Sequence, residues 1–208
     1  MDLEHSNMRW HPKGADDLWA KQWARAESMN KAIDLCEKRN AVIQAGGCTG
    51  AWPLWLSKRF ATVLTFEPEM QNYTCLRRNL ELTTNVTCYL AAVTDGRSKA
   101  HLKISQNPAA HQITTKPGLT QTLSIDNVEP PACDLIVLRV EGAELLAVKG
   151  AIATMAKYKP VVMLEDRGKD VKKNFGYDSD DLHDYMVSLN YRLKDHVRND
   201  KIWAHKSK

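Results

Sequence analysis

The sequence predicts a doubly wound, mostly parallel α/β sheet with an antiparallel C-terminal edge, and three observations carry the prediction. Strand-like and helix-like stretches alternate over about 160 residues, as βαβ units require. Within them Asp134-Leu-Ile-Val-Leu-Arg-Val140 is a nearly unbroken apolar run, the mark of a strand buried on both faces. Near the C-terminus two strand-like pieces, residues 191–194 and 201–204, joined by a short polar link, read as the antiparallel edge. A length of 208 residues and a mass of 23.5 kDa fit a single domain: an N-terminal arm and helix over residues 1–40, then the sheet domain over residues 41–208.

Each element has a local reason. Residues 1–15 are polar, carry Pro12 and Gly14, and read as an extended arm. Asp16 and Asp17 open a helical stretch to about residue 39, with Leu18, Trp19, Trp23, Met29, Ile33 and Cys36 on its apolar side. A strand over residues 41–43 breaks at Gly46-Gly47, and a helix follows over about residues 50–59. In that helix Trp52 and Trp55 read as core or interface anchors. The β-branched run Thr62-Val-Leu-Thr-Phe66 forms the next strand. It ends at Glu67, and Pro68 suits the first turn of a helix to about residue 82. Residues 85–93 read as a third strand. Residues 96–131 are irregular, rich in proline and glycine, with short strand candidates near residues 100–104 and 121–125. Such a segment is the expected lid and substrate wall, because specificity lives on loops at the carboxyl edge of the sheet. Regularity resumes with a strand over residues 134–140, a helix over 143–156, a strand over 160–164 and a helix near 179–189.

Composition narrows the function. Hydrophobic residues at 43% and charged residues at 26% exclude a disordered chain, a fibre and a membrane bundle. A net charge of +4 is well below what neutralising a phosphate backbone demands, so nucleic acid is not the expected partner and the basic C-terminus reads as a solvated tail. The longest apolar runs are too short to span a bilayer. Five cysteines without a Cys-x-x-Cys pair or a histidine cluster point away from disulfides and metal and toward a reducing compartment. Residues 1–13 hold no apolar core of a secretory leader, so a cytoplasmic location is expected.

In an open α/β sheet, ligands bind beyond the carboxyl ends of the strands. The small residues of Gln44-Ala-Gly-Gly-Cys-Thr-Gly50 let backbone approach a ligand, and the following helix offers free amides. No Lys-Ser/Thr follows Gly50, which excludes a P-loop. About 20 residues further on, Glu67 is placed to accept both ribose hydroxyls of a nucleoside-containing cofactor. Dipole compensation of the next helix by Glu67 and Glu69 is the competing account. The loop alone does not choose the cofactor. A dinucleotide fingerprint lacks its first glycine at Ala45, and an S-adenosylmethionine loop lacks its acid at Gln44 and a glycine at Cys48.

A longer resemblance chooses. Gly46-Gly-Cys-Thr-Gly50, Thr65-Phe-Glu-Pro68, Leu76-Arg-Arg-Asn79, Ala91-Ala-Val-Thr-Asp95, Leu123-Ser-Ile-Asp126, Asp134 to Glu144, Lys149-Gly-Ala151 and Pro160 to Glu165 follow in the order and spacing of the FkbM family. The chain thus resembles class I, Rossmann-like S-adenosylmethionine-dependent methyltransferases, mostly O-methylating hydroxyls of sugars and natural products, over residues 41–166. The resemblance implies S-adenosylmethionine as cofactor and a small-molecule or glycan acceptor. It also implies that Gly46, Gly47 and Gly50 pass under the methionine part, that Glu67 with Pro68 takes the ribose, and that Ala92 and Val93 flank the adenine. Glu141 would face the sulfonium and the acceptor.

The chain departs from the family at Gln44 and Arg139, both usually Asp, and at Cys48, commonly Asn. Gln44 can still bond the cofactor's ammonium group. Arg139 reverses charge, and is expected to clamp an acidic substrate or the cofactor carboxylate, or to neutralise Glu141 and Glu165. The general base is left among Glu141, Glu165, Asp166 and His111, with Glu141, Arg139 and Glu165 as the catalytic set. A non-catalytic S-adenosylmethionine-binding protein, a nucleic-acid methyltransferase and a nicotinamide dehydrogenase are the alternatives.

Overall fold

The computed structural model describes residues 12, 18–23, 25–97, 99–168 and 170–208. Its strands are β1 (Ala41–Ala45), β2 (Thr62–Phe66), β3 (Val86–Tyr89), β4 (Ala92–Val93), β5 (Lys99–Lys103), β6 (Gln112–Thr114), β7 (Thr120–Leu123), β8 (Leu135–Leu138), β9 (Val161–Glu165), β10 (Tyr191–Val197) and β11 (Asp200–His205). The helices are α1 (Leu18–Trp23), α2 (Ala26–Asp34), α3 (Ala51–Ser57), α4 (Met70–Asn79), α5 (Ile125–Val128), α6 (Glu144–Lys149), α7 (Ile152–Tyr158), α8 (Asp170–Phe175) and α9 (Ser179–Ser188).

Seven strands form the main sheet in the order β10-β11-β9-β8-β1-β2-β3. The five central and outer strands from β9 to β3 are parallel, and β11 pairs antiparallel with both β9 and β10. The expected doubly wound sheet with an antiparallel edge is therefore the observed one. Its winding shows in the side chains. Successive residues of a strand point to opposite faces, and here Leu135, Val137, Val161 and Met163 enter the core beneath α2 and α3. Their neighbours Ile136, Leu138, Val162 and Leu164 enter the core beneath α6, α7 and α9. Full burial of each such side chain contributes roughly 1.5–3 kcal/mol. The chain crosses from the β3 side to β8 beside β1, so the topological switch lies between β1 and β8, and ligand crevices open there.

Several boundaries differ from the expectation. The first helix is two, α1 and α2, parted at Arg25, which turns its side chain to Glu165. Asp16 and Asp17 lie outside the described residues, as does the arm apart from Pro12. The strand expected over residues 85–93 leaves the main sheet after Tyr89, and Ala92-Val93 pair with Thr122 and Leu123 in a second, four-stranded sheet ordered β4-β7-β5-β6. The strand candidates near residues 100–104 and 121–125 are β5 and β7, and β6 is a third short strand the sequence did not mark. The helix expected over residues 143–156 breaks at Gly150, where a Cβ would lie 1.9 Å from the Thr94 carbonyl oxygen. Asp126 then caps α7 through the Ala153 and Thr154 amides. The strand expected to reach residue 140 stops at Leu138, and α8 had no expectation attached to it. At the C-terminus the hairpin is tighter than the polar link implied: β10 and β11 turn through Arg198 and Asn199, which puts Asp200 inside a strand.

Trp52 and Trp55 are buried, and the rings of Trp19, Trp23, Trp52 and Trp55 meet edge to face in series, 5.8, 5.5 and 5.8 Å apart. All five cysteines are free. No helix among the described residues is long and apolar enough to cross a membrane.

Candidate functional site

A cavity of about 630 Å³ opens at the carboxyl ends of β1, β2, β8 and β9. Gly46, Cys48, Glu67, Pro68, Arg139, Glu141, Glu165 and Arg167 line it from the sheet side, α1 and Arg25 from one flank, and residues 106–111 from another. Of the residues singled out in the sequence, Gly46, Glu67, Pro68, Arg139, Glu141, Glu165 and His111 come together here. Gly47, Gly50, Gln44, Ala92, Val93 and Asp166 are not part of the lining.

The turn after β1 is set by close packing. Gly46 has φ 88°, and a Cβ on it would sit 2.1 Å from the Arg139 carbonyl oxygen, so glycine is required where β1 and β8 diverge. The amides of Gly46 and Gly47 both donate to the Phe66 carbonyl, tying the turn to the end of β2. Gln44 is fully buried and turned inward. Its Nε2 donates to the carbonyls of Ala45 and Gly46 at 3.2 and 2.8 Å, and its Oε1 accepts from Thr65 Oγ1 at 2.6 Å. An amide can donate to those carbonyls and a carboxylate cannot, so Gln44 braces the loop from within.

Glu67 anchors the far side. Its Oε2 accepts the Cys48 amide at 2.8 Å and its Oε1 the Glu69 amide at 2.9 Å, and the Asn72 side chain adds a further hydrogen bond. Burial pushes its carboxyl up to about 7, against the hydrogen bonds from the Glu69 and Cys48 amides and the Asn72 side chain, which favour the charge. Cys48 is buried in the turn, and burial pushes its thiol up, which disfavours the reactive thiolate. The 3-10 turn Pro108–Ala110 closes over this corner, with the Pro108 carbonyl accepting from Asn72 Nδ2 at 2.8 Å and Ala109 packed on Leu18, Trp19 and Cys48. Residues 106–111 thus occupy the expected lid position. Ala92 and Val93 are buried in β4, away from the cavity lining.

Three arginines and three carboxylates meet at the cavity floor. Arg139 Nη1 pairs with Asp200 Oδ1 at 2.7 Å, and its Nη2 lies 3.6 Å from Glu165 Oε1. Arg25 Nη1 donates to the same Glu165 Oε1 at 3.1 Å. Arg167 Nη1 pairs with Glu141 Oε2 at 2.9 Å and lies 3.6 Å from Glu165 Oε2. Asp200 also accepts from Ser28 Oγ at 2.6 Å. Arg139 therefore balances buried carboxylates. Asp200, Arg25 and Arg167 were missed in the sequence; only Arg167 carried a signal, as a charge directly beyond a strand end.

Glu141 sits at φ 57° with Gly142 next at φ 102°, a strained turn that re-aims the chain between β8 and α6. Gln112 of β6 donates its side-chain amide to the Glu141 carbonyl. Burial pushes the Glu141 carboxyl up, with Arg167 opposing. Glu144 is buried at the start of α6, accepting the Val140 amide, and burial pushes it up to about 8. Burial opposes charge on Asp166, but hydrogen bonds from Lys201 and Ser179 outweigh it and hold that carboxyl below its ordinary value. His111 accepts the Ser105 amide at Nδ1, so in its neutral form, which burial favours, the proton sits on Nε2. That leaves His111 a donor. Among the four candidates for the base, Glu141 alone combines a raised carboxyl, a place in the lining and a single close cation.

Residues 44–193 match the methyltransferase FkbM domain. Among solved structures, an FkbM methyltransferase from Methylobacillus flagellatus aligns with a TM-score of 0.56 at 18% identity, over 80% of this chain and 43% of that one, so the chain spans less than half of that relative. A Streptococcus mutans protein in complex with SAH aligns with a TM-score of 0.54 at 12% identity, over 86% and 94%. The magnesium protoporphyrin IX methyltransferase of Synechocystis, with bound SAM, gives 0.53 at 9%, over 95% and 86%. At these identities the likeness is one of fold. No curated protein sequence matches the chain.

Proposed function

The chain belongs to the FkbM family of S-adenosylmethionine-dependent methyltransferases, and from that premise we propose that it O-methylates a hydroxyl of a sugar or other small molecule. The observation that carries the reading is Glu67: a buried carboxyl at the end of β2, lining one cavity with Gly46 and Glu141. Those residues suit the adenosyl end of S-adenosylmethionine, and the cavity volume of about 630 Å³ lies within the usual range for small-molecule sites. Glu67 and Pro68 would hold the ribose, and Gly46 would let the backbone approach the methionine portion. When bound, the cofactor supplies an electrophilic methyl group on sulfur.

Little covalent work is asked of the protein. It must place the acceptor oxygen in line, exclude water and take one proton. Residues 106–111 and α1 wall the cavity against solvent. Glu141 takes the hydroxyl proton, and Arg167 beside it holds the carboxylate in place. The five free cysteines support a reducing, cytoplasmic setting.

Calorimetry with S-adenosylmethionine, S-adenosylhomocysteine and NAD, followed by labelled methyl transfer to a panel of hydroxylated acceptors, tests this. Micromolar binding of the adenosyl ligands alone, lost in Glu67→Gln, and label in an acceptor are expected. Binding without turnover would make the protein a cofactor-binding module, and label in RNA or DNA would replace the small acceptor.

A further inference from the structure

We infer that the acceptor is anionic, a hydroxylated small molecule whose carboxylate or phosphate is gripped by Arg25 and Arg167; this rests on the methyltransferase reading above. The two guanidinium groups reach the cavity from opposite walls, Arg25 from the turn before α2 and Arg167 from beyond β9. They converge on one carboxylate, Arg25 on Oε1 of Glu165 and Arg167 on Oε2. Each uses only Nη1 in doing so. The Nε and Nη2 groups of both have no hydrogen-bond partner among the described residues. Their side chains are 44% and 38% exposed, against 11% for Arg139, whose ion pairs lie behind them. A planar guanidinium edge matches a carboxylate or phosphate in shape as well as charge.

Two further donors and acceptors suit the hydroxyls of such a ligand. Gln22, on the same flank as Arg25, carries a buried side-chain carbonyl oxygen with no hydrogen-bond partner among the described residues, which a ligand hydroxyl would satisfy. His111, across the cavity, has Nδ1 committed to the Ser105 amide and keeps a donor on Nε2. The charge count agrees. Three guanidinium groups face Glu141, Glu165 and Asp200, so once Glu141 accepts a proton from the acceptor the cluster carries one surplus positive charge. A bound anion offsets that surplus, and a neutral acceptor leaves it in place.

The test titrates glucuronate, glucose 6-phosphate and 4-hydroxybenzoate against glucose and 4-hydroxybenzamide, with and without S-adenosylhomocysteine. An anionic member should bind roughly 10- to 100-fold more tightly than its neutral counterpart, as expected of hydrogen bonds to charged groups. That preference should weaken with salt and disappear in Arg25→Gln/Arg167→Gln, whose affinity for S-adenosylhomocysteine is retained. Carboxylates and the phosphate ester are read separately, which tells the two anion classes apart. Equal affinity for neutral and anionic members, absence of binding by every anion, or a preference that survives the double substitution overturns the inference. Comparison of ligands on the unsubstituted protein decides the matter even where a variant folds poorly. Failure of S-adenosylhomocysteine to bind would instead strike the methyltransferase reading, and the anion preference measured without it still decides this one.

Discussion

Arg139→Met is the sharpest test of the charge cluster. The substitution keeps the aliphatic stem and removes the cation from Asp200 at 2.7 Å and from Glu165 at 3.6 Å. Removing one partner of a buried pair costs about 3–5 kcal/mol, because the other charge stays buried. Glu165 retains Arg25 and Arg167, while Asp200 retains only the Ser28 hydroxyl among the described side chains, so the loss falls on Asp200. The low end, about 3 kcal/mol, is therefore expected. For a chain of this length each kcal/mol moves Tm by about 2–4 °C, which gives a fall of roughly 6–12 °C in calorimetry at pH 7. Adding Asp200→Asn should restore part of it, with a coupling energy of about 1–3 kcal/mol. A Tm change under about 2 °C, or strict additivity, would refute the assignment of Arg139 to structural balance. Affinity for S-adenosylhomocysteine should stay near that of the unsubstituted protein, since the guanidinium is already committed to its neighbours.

Three other outcomes follow from the same geometry. Gly46→Ala must place a methyl group against the Arg139 carbonyl at positive φ, and should cost more than about 3 kcal/mol by urea denaturation. Glu67 has its folded pKa raised to about 7. Its contribution to stability is therefore lost as pH rises from the unfolded carboxylate value to about 7, and Glu67→Gln should flatten that slope in a stability–pH series. Over the same range S-adenosylhomocysteine affinity should rise with pH, as the carboxylate becomes a full acceptor for ribose hydroxyls. Glu141→Gln should lower kcat by about 10²–10⁴ with cofactor affinity retained, and kcat of the unsubstituted enzyme should rise with pH through the raised Glu141 titration.

The frame was legible because burial on both faces writes continuous apolar strands. Leu135 to Leu138 and Val161 to Leu164 could hardly be anything else, and the turn at Gly46 and the acid at Glu67 directly follow β1 and β2, whose ends pair at Ala45 and Phe66. What could not be read was anything set by long-range packing. The split at Gly150 depends on the Thr94 carbonyl, and the departure of Ala92-Val93 into a second sheet depends on Thr122 and Leu123. Gln44 looked like a weakened cofactor ligand until Thr65 and two carbonyls were seen to use all of it. Arg139 looked anomalous because its partner Asp200 lies 61 positions on, in a strand whose start the sequence did not mark.

The series of indoles from Trp19 to Trp55 has a practical consequence. Trp52 borders the cavity and meets Trp23 and Trp55 edge to face, and Trp23 meets Trp19 in turn, so excitation anywhere in the series can migrate to the ring beside the cavity. A charged ligand placed beside that buried ring should change the emission of the series, making intrinsic fluorescence a label-free gauge of occupancy. Trp52→Phe would silence it.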